Sequence, residues 1–184
     1  MIGVFGGTGK IGSEVVKSLH ASGVPFKCIV RDPQAAKNIL GKDVALTLGD
    51  LSDPDSLIAA FKGLDQLFLV CGLHQNLARL EVNAIEAAKQ AGLSAIIKSS
   101  AAEPIIADDS PTLIGRQHGP AERALMESGL NWTILRPTFL MQNSLSQSAR
   151  VINEGKLAMP VKPDVEISFI DTRDIGACAA EVLT

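Results

Sequence analysis

Short apolar runs alternate with longer segments of helical period from one end of this chain to the other, and few architectures accept that pattern. The runs are residues 2–5, 26–30, 44–48, 66–71, 95–98, 132–135 and 166–170. Most are almost unbroken in apolar residues, as strands covered on both faces are. Between them Ile11, Val15 and Leu19 recur at helical spacing, and Leu77, Leu80, Ala84, Ala88 and Ala91 make a second stripe. Asp32-Pro33 and Asp53-Pro54 each read as an N-cap followed by proline at the first helical position. Gly23, Gly63, Gly92 and Gly129 fall where helices should stop. Repeated β-α units predict an α/β fold over residues 1–184 as one domain: a doubly wound, mainly parallel sheet with helices on both faces. Two connections, 101–117 and 138–165, break the rhythm. Long connections in such domains are commonly functional, and both leave from the carboxyl ends of strands, where these sheets bind ligands.

Composition narrows the functions available. The chain has 46% hydrophobic and 20% charged residues, the balance of a globular protein with a full core. A net charge of −3, no basic stripe and 4% aromatics give no support for direct nucleic-acid binding. Cys28, Cys71 and Cys178 are widely spaced and odd in number. They predict neither a disulfide framework nor a cysteine metal site, and they suit a reducing, cytoplasmic compartment. The N-terminus lacks the basic preface of a signal peptide, and no run is long enough to span a membrane. Asn131-Trp132-Thr133 matches a glycosylation sequon but is read as coincidence within a buried strand. Tyrosine is absent, so any mechanism with a tyrosine proton donor is excluded.

The first apolar run leads directly into Gly6-Gly7-Thr8-Gly9-Lys10-Ile11-Gly12, from which a helix opens. Glycines at this spacing let the chain turn tightly and bring its backbone close to a pyrophosphate, which then faces the helix N-terminus. Gly12 is placed to let the helix lie close to the sheet. With a strand before it and a β-α-β unit closing after it, the loop is that of a Rossmann-type dinucleotide site; the plainer alternative is a structural turn. A P-loop is excluded, because Val4 and Ile11 stand where that motif needs glycine and a hydroxyl residue. At the tip of the second run, Asp32 has a capping task while Arg31 has no evident partner. An arginine there can take the 2′-phosphate of NADP, which favours NADP(H) and leaves NAD(H) open, with a solvated strand-end charge as the structural alternative. Asp50, Cys71-Gly72 and Ser99-Ser100 stand at other strand tips, where they can line the same crevice. For Cys71 a small buried strand-end residue serves equally well.

GGTGKIG, Val30-Arg31-Asp32-Pro33, Gly49-Asp50-Leu51, Ser99-Ser100 and residues 128–143 (SGLNWTILRPTFLMQN) together resemble the NmrA-like branch of the short-chain dehydrogenase/reductases. That branch holds NADPH-dependent quinone and azo-dye reductases and also redox-sensing regulators without turnover. The resemblance implies that Gly6, Thr8, Gly9, Lys10, Ile11 and Gly12 hold the pyrophosphate and that Arg31 meets the 2′-phosphate. It sets Asp50 and Leu51 against the adenine, Cys71, Gly72 and Leu73 past the nicotinamide ribose, and Ser99 near the nicotinamide. Residues 136–143, with Phe139 and Met141, would wall the nicotinamide site and offer an apolar surface to a flat ring, although core packing explains Met141 as well. Members normally continue past the helix that starts at Asp171-Thr172-Arg173-Asp174 into a small substrate lobe. Here the sequence ends at Leu183-Thr184 without a glycine stop, which implies an incomplete C-terminal lobe.

His118-Gly119-Pro120-Ala121-Glu122 is similar to the H-x-x-x-E stretch of the quinone reductases in that branch, where Tyr-Lys enzymes of the wider superfamily carry Y-x-x-x-K. A quinone or azo acceptor needs no tyrosine: it takes a hydride, and its proton can come from water or a histidine. His118 is the candidate catalytic donor or orienter, because histidine titrates near neutrality; the alternative is a cap for a helix opening at Pro120. Glu122 reads as a helix-face carboxylate, and His20 and His74 as surface residues. Two functions follow: an NADPH-dependent reductase of a small aromatic acceptor, or a non-catalytic NADP(H) sensor working through a protein partner. Ala84, Ala87, Ala88 and Ala91 suit packing on the sheet better than a homodimer face.

Overall fold

Ile2–Phe5 (β1) is the centre of a six-stranded sheet. Phe26–Val30 (β2) and Leu46–Leu48 (β3) lie on one side of it, Gln66–Leu69 (β4), Ala95–Ser99 (β5) and Asn131–Leu135 (β6) on the other. The order is β3-β2-β1-β4-β5-β6 with every pairing parallel. The structure, a computed structural model, describes residues 1–102, 105–107, 109–156 and 164–184; the rest of the two long connections lies outside the described residues. The helices are, in chain order, Lys10–Ser22 (α1), Pro33–Leu40 (α2), Pro54–Phe61 (α3), Leu77–Ala91 (α4), Leu113–Met126 (α5), Ser148–Glu154 (α6) and Thr172–Leu183 (α7).

Both faces of the sheet are covered, as continuous apolar strands require. Val15, Val16 and Leu19 of α1, Ala36 of α2 and Ala179, Ala180 and Leu183 of α7 pack on Val4, Cys28 and Phe68. On the opposite face Leu57 and Phe61 of α3, Ala84, Ile85 and Ala88 of α4 and Leu125 of α5 pack on Ile29, Leu67, Leu69 and Ile96. Each large side chain buried this way contributes ~1.5–3 kcal/mol. Ala84, Ala87 and Ala88 are buried within the chain, so they serve packing on the sheet and offer no outward face. The α1–α7 contact is close enough that a Cβ on Gly176 would come within 2.7 Å of the Glu14 backbone.

The helix boundaries follow their side-chain chemistry. Asp32 accepts from the amides of Gln34 (2.9 Å) and Ala35 (3.0 Å), and Asp53 from that of Ser56 (3.3 Å), with Pro33 and Pro54 opening the helices they cap. Gly23 and Gly92 end α1 and α4 in the left-handed conformation. One boundary differs from expectation. Helix α5 opens at Leu113 with Thr112 as its N-cap, the hydroxyl accepting from Gly115 N at 3.1 Å. Pro120 therefore lies inside the helix, His118 caps nothing, and the connection expected over 101–117 is shorter.

Two strand expectations are also corrected. β6 is an edge strand with Asn131 exposed and Trp132 44% exposed, so the sequon does not lie in a buried strand. Of residues 166–170 only Phe169–Ile170 (β8) is strand, and it pairs with Phe139–Leu140 (β7) in a separate two-stranded parallel sheet. β6 itself ends at Leu135, just before Pro137, which has no N–H to lengthen the ladder with β5. The 166–170 run also alternates polar and apolar residues, unlike the covered strands. The Phe139 and Phe169 rings meet at 6.1 Å between centroids.

Candidate functional site

The chain runs out to β3 and returns to β4 on the far side of β1. Strand order therefore reverses between β1 and β4, and a crevice opens there at the carboxyl ends of the strands. The glycine loop occupies this point. Gly6 has φ +82°, and a Cβ there would stand 2.3 Å from the Val70 carbonyl oxygen. A Cβ on Gly12 would stand 2.1 Å from the Gly6 carbonyl oxygen, so α1 starts nearer the loop than any side chain permits. The turn is closed by Gly9 N donating to Gly6 O at 2.9 Å. The first bond into α1 comes from Ser13 N to Gly9 O, which leaves the amides of Lys10, Ile11 and Gly12 as the orphan donors of its first turn. Thr8, Gly9 and Lys10 are exposed above them. No acidic side chain competes in that turn. The cradle fits a pyrophosphate.

The other residues at the strand tips divide into those that face the crevice and those that do not. Arg31 is exposed and makes no hydrogen bond or ion pair among the described residues, while Asp32 is occupied by its cap. Asp50 accepts from the amide and the hydroxyl of Ser52, both at 2.8 Å. Those bonds, with a smaller pull from Arg31, hold its carboxyl below the usual range despite some burial. Leu51 is 4% exposed and packs in the α3–α4 core, so its backbone alone is available to an adenine. Gly72 and Leu73 are exposed beyond β4. Cys71 is half-buried, and burial, aided by the Glu81 charge, pushes its thiol up to about 11; it is no thiolate nucleophile. Ser99 is 2% exposed with no hydrogen-bond partner for its hydroxyl, a buried polar atom left over by the protein itself. Such an atom calls for a ligand partner, and its place at the end of β5 fits the nicotinamide end of a dinucleotide.

Beneath β5 and β6 lies a group of polar side chains that the sequence reading did not bring together. Lys98 and Glu81 are fully buried and form an ion pair at 2.7 Å. Burial pushes the Glu81 carboxyl up, against the pull of Lys98. Lys98 Nζ also lies 2.9 Å from His118 Nδ1 and 3.3 Å from the Ser99 carbonyl oxygen. One helical turn on from His118, Glu122 accepts from the Ser100 hydroxyl and from Arg136, whose Nη2 stands 2.5 Å from Oε2. Burial opposes the Glu122 charge, yet these bonds outweigh it and hold the carboxyl below its usual range. Glu122 is 2% exposed, so it is a buried ion-pair member and not a solvated helix-face carboxylate. His118 is also corrected in one respect. Burial and the neighbouring Lys98 push it down to about 3, so the ring is neutral and does not titrate near neutrality.

Lys98 and Glu81 were legible as anomalies: a lysine within Ile-Ile-Lys-Ser-Ser and a glutamate in an apolar helical stripe each need a buried partner. The segment after β7 reaches the same crevice. Lys10 Nζ donates to Asn143 Oδ1 at 2.9 Å, tying the glycine loop to residues 141–147. Gln142 donates to Asp171 Oδ1 at 2.7 Å and accepts from Thr172 N at 3.0 Å, which docks that segment on the start of α7. Lys10 thus has a protein partner in addition to its expected place beside the pyrophosphate. Met141 is 49% exposed and is not core packing.

This strand order, with a glycine cradle at the reversal point, defines a Rossmann dinucleotide-binding domain. Comparison with known proteins agrees: residues 6–184 match the NAD(P)H-binding family, and the chain belongs to it. An NAD(P)H azoreductase of Xenophilus azovorans is 40% identical over the whole chain, which covers 63% of that protein. The solved structure of an NADPH-dependent quinone oxidoreductase from Escherichia coli, complexed with NADPH, superposes with a TM-score of 0.87 at 29% identity. It matches all of this chain and 65% of its own. The triphenylmethane reductase of Citrobacter sp., complexed with NADP(H), gives a TM-score of 0.85 at 26% identity, again over all of this chain and 65% of its own. These relatives bear out the resemblance to the NmrA-like reductases. The chain spans just under two thirds of their lengths. Among the described residues no helix is long and apolar enough to cross a membrane.

Proposed function

We propose that this chain is the cofactor-binding part of an NADPH-dependent reductase whose acceptor is a flat conjugated molecule, a quinone or an azo compound. The observation that carries this reading is a buried, neutral histidine 2.9 Å from Lys98 near the end of β5, in a chain without tyrosine. Carbonyl reduction by a Tyr-Lys pair is closed to such a chain. A quinone or azo bond is polarised already and needs a hydrogen-bond donor more than a strong acid.

The amides of Lys10, Ile11 and Gly12 would hold the pyrophosphate, Arg31 the 2′-phosphate, and the Ser99 hydroxyl the nicotinamide end. When bound, the reduced nicotinamide supplies the hydride. His118 meets the oxygen or nitrogen that gains negative charge, donating a hydrogen bond, and water supplies the proton that completes the reduction. Exposed Met141 and half-buried Phe139 offer the acceptor an apolar surface.

The test is anaerobic NADPH oxidation with a benzoquinone and with an azo dye. His118→Ala should lower turnover by about 100- to 1,000-fold, the usual loss for one preorganised donor, while NADPH affinity measured by fluorescence stays unchanged. An unaltered rate in the variant removes His118 from the reaction. The assay is run on this chain and on one extended past Thr184; NADPH binding by both with no turnover in either above the enzyme-free rate would put the sensor reading in place of the reductase.

A further inference from the structure

With His118 taken as the group that meets the acceptor, a premise resting on the function proposed above, we propose that Lys98 is the positioning residue of the site. It holds the imidazole as the tautomer with its proton on Nε2, so that the ring serves as a hydrogen-bond donor and as nothing else. The geometry is a count of donors. A lysine ammonium has three protons and accepts nothing. Around Lys98 Nζ stand three acceptors: Glu81 Oε2 at 2.7 Å, His118 Nδ1 at 2.9 Å and the Ser99 carbonyl oxygen at 3.3 Å. Two of these contacts are hydrogen bonds and the Glu81 contact is an ion pair, so the ammonium meets the ring only as a donor. A proton on Nδ1 would face the ammonium donor against donor, so the single proton of the neutral ring sits on Nε2.

The charges around the ring keep it in that state. Lys98 faces it from β5, and Glu81 balances Lys98 from α4. On its own helix Glu122 lies one turn away, balanced by Arg136 from the end of β6 and hydrogen-bonded by Ser100. Cys71, beyond β4, lies within the field of Glu81 and Lys98, and its thiol stays protonated. The two ion pairs cancel, which leaves no net negative charge to draw a second proton onto the ring. Burial and the nearest ammonium both disfavour the imidazolium. A neutral donor adds no step of its own to the pH dependence of turnover, whereas an imidazolium acid would fail as pH rises through its pKa.

The experiment is long-range proton–nitrogen NMR of the 15N-labelled chain without acceptor. His118 should show a protonated Nε2 and an unprotonated Nδ1, both unchanged from about pH 5.5 to about pH 8.5. Lys98→Met alone strands the Glu81 carboxylate in the core, so the informative variant is Lys98→Met with Glu81→Leu. That pair of changes replaces the ion pair by apolar residues of similar volume and leaves no buried charge behind. In it the single-tautomer pattern should be lost, and the NADPH oxidation rate should acquire a pH step that the parent lacks. A proton on Nδ1, a ring that titrates in the parent, or an unchanged pattern in the double variant would overturn the assignment to Lys98. Normal turnover in His118→Ala would instead remove the premise about the acceptor, while the tautomer pattern would still report on Lys98.

Discussion

Arg31 and Asp32 stand side by side at the tip of β2 and do different work. The aspartate spends its carboxylate on two amides of α2, while the arginine faces solvent with no partner among the described residues. Charged hydrogen bonds contribute ~1.5–3 kcal/mol. Arg31→Ala should therefore weaken NADPH by about 10- to 100-fold and NADH far less, measured by fluorescence titration of both. Equal losses would mean that the guanidinium does not meet the 2′-phosphate. This division of labour was legible in Val-Arg-Asp-Pro, because capping is a matter of adjacent residues. The state of His118 was not: its pKa is decided first by burial, then by Lys98 of β5 and by Glu122, and its neighbours in sequence do not report the burial or the lysine.

Among the elements, the glycine loop and α5 test two local rules with opposite results. At the loop, spacing alone anticipated a backbone in which Gly6 and Gly12 have no room for a Cβ. Gly9 is different, since a Cβ there would meet only the Gly6 carbonyl oxygen, at 3.3 Å. Gly9→Val should accordingly fold, with a thermal midpoint near the parent's, and yet lose measurable NADPH binding because its side chain fills the anion cradle. Retained affinity would make the loop a turn and nothing more. At α5 two start signals compete: Thr112, a good N-cap, and Pro120, a good first residue. Thr112 prevails, supported by the Ser110 hydroxyl 3.0 Å from its own and by Arg116 donating to the Ser110 carbonyl oxygen. Removing this cap should cost about 1 kcal/mol, read from urea unfolding of Thr112→Ala.

For the molecule as a whole, burying His118 links stability to pH. The imidazole takes its proton near 6.5 when unfolded and near 3 in the fold. Between those values the unfolded chain binds more protons, so this contribution is complete above about pH 6.5 and is lost as pH falls towards 3. Thermal melts should decline through that window and decline less steeply in His118→Gln; identical slopes would mean that the ring is charged in the fold. The sequence alone determined the alternating elements, the aspartate–proline caps, the glycine cradle and the absence of tyrosine from these residues, because each depends on residues next to one another or on composition. The tertiary structure alone decided that Glu81, Lys98 and His118 meet, that Ser100, Glu122 and Arg136 form the adjoining cluster, and that Lys10 reaches Asn143. These residues lie on different elements: the two buried clusters exist because parallel crossovers set β4, β5 and β6 side by side with α4 and α5 across them, and Asn143 reaches Lys10 from the segment after β7. Local spacing carries no information about that order.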